Sequence, residues 1–111
     1  MNNGISERDW RIFRELHAVA EERLCQRILE SLRRELDQPG ESARIRYREL
    51  LGYIEEQNGE LSRGFDDLSR STALAQVGVI HSMGLWTGAE LRRFSPETLQ
   101  YAEAYGPIPP E

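Results

Sequence analysis

The sequence predicts an all-α protein, a helical bundle of three main helices followed by two short carboxy-terminal helices. Three observations predict it. Apolar residues recur at three- and four-residue steps through most of the chain. Helix-capping residues stand where those stripes begin. No segment alternates apolar and polar residues as a half-buried strand would.

The first helix is expected from Ser6 to about Leu36. Ser6 is a good N-cap, and Glu7 and Asp9 fall in the first turn, where the helix dipole favours negative charge. Phe13, Leu16, Ala20, Leu24, Ile28 and Leu32 form its apolar stripe, which Ile12, Val19, Leu29 and Leu36 widen. Glu7–Arg11 and Glu30–Arg34 are acid-first pairs one turn apart. About thirty residues of helix span about 45 Å. That is long for so small a domain, so part of this helix is expected to reach a partner.

Asp37-Gln38-Pro39-Gly40 turns the chain. A second helix is expected over 42–57, with Tyr47, Leu50, Leu51 and Ile54 on one face. Asn58-Gly59 reads as its stop, because both residues tolerate the left-handed conformation. A third helix is expected over 60–82, where Leu61, Phe65, Leu68, Thr72, Ala75, Val79 and Met83 keep a near-heptad spacing. Beyond Ser71 its other faces turn apolar through Leu74, Val77 and Ile80, so this half is the central rod of the fold or part of a subunit interface. Thr87-Gly88-Ala89-Glu90 is a capping box for the first short helix. Ser95-Pro96-Glu97 opens the second, which runs to about Tyr105. The chain therefore reads as one domain over 1–111, with 1–5 and 106–111 as flexible ends.

A chain of 111 residues can bury a core without metal or disulfide staples. The net charge of −5 comes from residues 51–111, which hold four Arg and nine acidic residues; residues 1–50 hold ten of each. The acidic half disfavours a general nucleic-acid binder, since phosphate neutralisation supplies most of that affinity. All fourteen basic residues are Arg, which excludes a Schiff-base lysine or a phosphate-loop lysine. Cys25 is the only cysteine, and the uncharged run 71–89 carries too many polar residues and glycines for a membrane span. The residues before Ile5 are neither cationic nor apolar, as a signal peptide would be, so the cytoplasm is the expected location.

No catalytic, cofactor or metal residue is assigned. His17 and His81 are the only histidines, and neither lies in a Glu-x-x-His or His-Glu-x-x-His pattern. No nucleophile elbow and no glycine-rich phosphate loop occurs.

Two features remain as candidate contact sites. Arg63, Phe65, Asp66, Asp67 and Arg70 fall on one predicted helix, as an ion-pair cluster or as a polar recognition patch beside an apolar groove. Trp86 joins that patch as an anchor, unless it plugs the core. Ser71, Ala75, Gly78 and Ser82 place small residues on one face, where two helix backbones can approach closely within the chain or across a dimer.

The expected function is a non-enzymatic interaction or regulatory module that binds another protein, as a homodimer. One alternative is a nucleic-acid-associated factor using Arg8, Arg11, Arg23, Arg27, Arg33 and Arg34. Another is a small-ligand binder or enzyme with a composite site across a dimer, built from Asp66, Asp67, Arg70 and His81.

Overall fold

Helix α1 covers Glu7–Leu36, as the capping and stripe predict. The computed structural model describes residues 4–40 and 42–111, so the expected flexible amino-terminal end lies outside the description at residues 1–3. The remaining described helices are α2 (Ala43–Phe65), α3 (Arg70–Ser82), α4 (Gly88–Leu91) and α5 (Pro96–Glu103), with no strand among the described residues.

Local chemistry sets most boundaries. The Ser6 hydroxyl accepts from the Asp9 amide at 3.1 Å and starts α1. Gly40, at φ 122°, makes the turn after it. Arg46 then donates to the Leu36 carbonyl at 2.6 Å, tying the start of α2 to the end of α1. The two helices run antiparallel, and α2 starts from the Ser42 cap.

The second boundary differs from expectation. Helix α2 runs through Asn58 and Gly59 and stops only at Phe65. Gly in a helix interior costs about 1 kcal/mol relative to Ala. Burying Phe65 returns about 2–3 kcal/mol, so the helix continues until that ring reaches the core. The break falls at Asp66, the C-cap, and at Asp67, whose φ of 61° is left-handed. The Thr72 hydroxyl donates to the Asp67 carbonyl at 3.1 Å and fixes the turn.

Helix α3 is the central rod. Ala73, Val77 and Ile80 are fully buried against Phe13, Leu16 and Ala20 of α1 and against Leu91 and Ala102. Trp86 closes this core from the loop after α3. Its indole N–H donates to the Leu16 carbonyl at 2.9 Å, and its ring meets Phe13 and Phe94 edge-on. The tail also packs down. His81 Nε2 donates to the Gly106 carbonyl at 3.0 Å, Arg92 donates to the Pro110 carbonyl at 2.9 Å, and Ile108 sits against the core.

One buried carboxylate locks α5 to α1. Asp9 is fully buried and accepts from the Ser95 amide at 3.0 Å, the Ser95 hydroxyl at 2.6 Å and the Thr98 hydroxyl at 2.7 Å. Helix α5 has no cap from its own N-cap side chain, so α1 supplies it.

These elements divide the molecule into a head and an arm. The extents are 57 × 29 × 21 Å and the radius of gyration is 16.8 Å, against about 13 Å for a compact chain of this length. Every buried residue among those described lies before Cys25 or after Arg63. The head holds the core, and the far halves of α1 and α2 project from it as a two-helix arm.

Replacing Asp9 with Ala removes the acceptor of three donors at once, the buried Thr98 hydroxyl and the half-buried Ser95 amide and hydroxyl. Asp9→Ala should lower the free energy of unfolding by about 3 kcal/mol in urea denaturation, with Asp9→Asn less severe. A loss below about 0.5 kcal/mol would show that α5 is held by apolar packing alone.

Candidate interaction surfaces

The structure separates the residues expected to form one polar patch. Arg63 ends α2 and pairs with Glu60 at 3.0 Å. Phe65 is buried and packs on His17, with ring centres 5.0 Å apart. The Asp66 carboxylate accepts from the Ser62 hydroxyl at 2.8 Å, and its backbone carbonyl accepts from the Gln76 amide at 2.8 Å. Arg70 starts α3 and turns toward the amino terminus, reaching Glu7 at 2.9 Å and the Ile5 carbonyl at 3.2 Å. Glu7 is thus engaged by Arg70 and not by Arg11. The expectation of a shared helix for Arg63, Asp66, Asp67 and Arg70 is corrected by the break at Asp66–Asp67, and no ion pair among the described residues links the two Asp to either Arg.

Trp86 is 4 % exposed and belongs to the core. The small-residue stripe is divided as well. Ser71, Ala75 and Ser82 are exposed, but Gly78 lies under the Tyr105 ring, which occupies the space a Cβ would take. Close approach at Gly78 is therefore satisfied by the chain's own carboxy-terminal segment.

The Arg side chains of α1 fold back in part. Arg8 donates to the Arg93 carbonyl at 2.9 Å. Arg27 donates to the Met83 carbonyl at 3.0 Å. Arg23 grips Glu90 at 2.7 and 2.8 Å and also donates to the Leu85 carbonyl at 2.8 Å. The histidines do not meet as ligands. His81 binds Gly106, while His17 sits between Phe13 and Phe65 with its Nε2 unpartnered, and burial pushes its pKa below the ordinary histidine range. No three His, Cys, Asp or Glu side chains converge as a metal-ligand group among the described residues. No described helix is long and apolar enough to cross a membrane.

The surface that does stand out is on the arm. Leu29, Leu36 and Tyr47 are 64 %, 60 % and 66 % exposed, and Leu51 and Ile54 are also exposed. At about 100° per residue, Cys25, Leu29, Leu32 and Leu36 fall within one narrow arc of α1. Tyr47, Leu51 and Ile54 do the same on α2. Chain direction reverses between the helices, so the two arcs open to the same side of the arm. The other side is mixed: Arg27, Glu56 and Glu60 line one groove, Arg34, Glu35 and Glu49 line another together with Leu50 and Tyr53, and Ile45 is exposed away from the Tyr47–Ile54 arc. The stripes were legible in sequence as helix faces. What covers them was not, because the core that was expected to take them ends at Leu24.

Comparison with protein-family models, curated proteins and solved structures gives no match.

The Arg23–Glu90 pair gives the head a measurable acid response. Hydrogen bonds from Arg23, aided by Thr87, hold the Glu90 carboxyl down from 4.5 to about 2. A depressed folded pKa stabilises the fold fully above about pH 4.5, and that contribution is lost as pH falls toward 2. Glu90→Gln keeps the capping geometry without the charge. It should cost roughly 1 kcal/mol at neutral pH and flatten the fall of stability over that window in pH-dependent denaturation. An unchanged slope would assign the acid response to other carboxyls.

Proposed function

We propose that this chain is a non-enzymatic helical interaction module that binds another protein chain through the apolar side of its α1–α2 arm. The observation that carries the reading is the set of large apolar side chains left exposed on one side of that arm, with Leu29, Leu36 and Tyr47 more than half exposed. Single exposed apolar residues are ordinary, but a contiguous apolar face rimmed by charge is the usual mark of a docking surface. Helical arms bind this way by laying an apolar face, spaced at three and four residues, against a second apolar surface. The head serves as the folded base from which the arm is presented. A cytoplasmic place of action belongs to the same reading, and the single free cysteine, Cys25, is consistent with it.

Site-specific photo-cross-linking in the native host tests the reading. A photoreactive phenylalanine at Tyr47 or Leu51 should give discrete protein adducts on illumination, and the same group at Glu97, on the head, should give none. Absence of any adduct from both arm positions, with the protein present at normal level, would remove the arm as the binding element.

A further inference from the structure

We propose that the chain seated on this face is a second copy, bound antiparallel about a two-fold axis that crosses the arm near Leu32 and Leu51. The two arms then form a four-helix bundle with a head at each end. This rests on the reading of the arm as a docking element and names its partner.

Charge placement selects this arrangement. Arg46 reaches the Leu36 carbonyl and Phe65 packs on His17, so Leu51 lies level with Ser31 along the arm. On α2, Arg48 and Glu55 stand two turns apart along the edge of the apolar face, on either side of Leu51 and Gly52. On α1, Arg33 and Glu30 stand along the other edge, on either side of Ser31 and Leu32. All four are exposed, and none has a side-chain hydrogen bond or ion pair among the described residues. An antiparallel two-fold sets Arg48 beside the second copy's Glu55, and Arg33 beside the second copy's Glu30. Each pair forms twice. The two helices place the axis independently, and their placements agree to within one residue, about 1.5 Å.

A parallel arrangement fails on the same residues. It would lay α2 over the second copy's α1, with Arg48 near Arg33 and Glu55 near Glu30, so like charges would meet at both ends of the face. The antiparallel form converts each repulsion into an attraction.

The surface area agrees. The chain exposes 7159 Å², about 900 Å² more than a compact monomer of its mass. One subunit of a standard interface buries about 800 Å². The excess is of the size that one face of a stable dimer removes from water.

Analytical ultracentrifugation of the purified full chain tests this. The expected result is a species of twice the 12.8 kDa chain mass at micromolar concentration. Leu51→Asp should give a monomer whose head stays folded, with unchanged tryptophan fluorescence, since Leu51 is 42 % exposed and lies outside the core that holds Trp86. Arg48→Glu or Glu55→Arg alone should weaken association roughly tenfold, because each creates two like-charge contacts. The double reversal Arg48→Glu/Glu55→Arg should return it to within about twofold of the parent. A monomer at all concentrations, a dimer indifferent to Leu51→Asp, or a double reversal no better than either single change would each overturn the proposal. A dimer broken instead by Ala75→Glu on α3 would overturn it too. If the purified chain is monomeric while the arm cross-links to a different polypeptide, the two-fold fails and the docking reading stands.

Discussion

Two antiparallel helices share one seam, and every side chain outside that seam stays wet unless a third element covers it. This constraint organises the molecule. In the head, α3 lies in the angle between α1 and α2, and the two short helices close the remaining sides, so Phe13, Leu16, Ala20, Val77 and Ile80 lose nearly all contact with water. Past Leu24 the cover thins to the end of α3, where Arg27 reaches the Met83 carbonyl and Ile28 packs against the edge of the core. The same apolar periodicity continues along α1 and α2, but Leu29, Leu36, Tyr47, Leu51 and Ile54, which it places outward, stay exposed. A helix pair of that kind draws little stability from its seam, because most helical stability in proteins comes from packing a whole apolar face.

The head is held by polar contacts between segments far apart in sequence as much as by its apolar core. Asp9 caps a helix that begins at Pro96, Arg70 pins the strip before α1, and Arg23 joins the middle of α1 to the capping box of α4. The Trp86 indole closes a backbone carbonyl that a helix interior would otherwise keep to itself. Each contact fixes a loop or a short helix that has too few residues to hold itself in place. The result is a rigid base at one end of a long α1, which sets the direction in which the arm projects.

Local rules made much of this fold legible. The Ser6 cap, the turn at Gly40, the capping box of Thr87 and Glu90, and the Pro96 start of α5 all appear where their side-chain chemistry places them. The failures are long-range. Asn58-Gly59 reads as a stop, yet Phe65 pulls the helix past it toward a core that no local pattern reveals. Asp9 looks like an ordinary first-turn acid, and its real partners are eighty-six and eighty-nine residues away. Gly78 reads as a place for a neighbouring helix, and Tyr105 fills it. The arm was legible only through the length of α1, because periodicity shows which side is apolar and not what meets it.

The proposed association makes the arm dependent on a surface outside its own chain. Hydrogen exchange followed at increasing protein concentration tests it most directly. Amides between Cys25 and Arg63 should gain protection as concentration rises through the association range, while those of α3 and of α1 before Leu24 keep theirs. Arm amides as protected as those of α3 at the lowest concentration, and unchanged above it, would show that the arm is stable alone and needs no second surface.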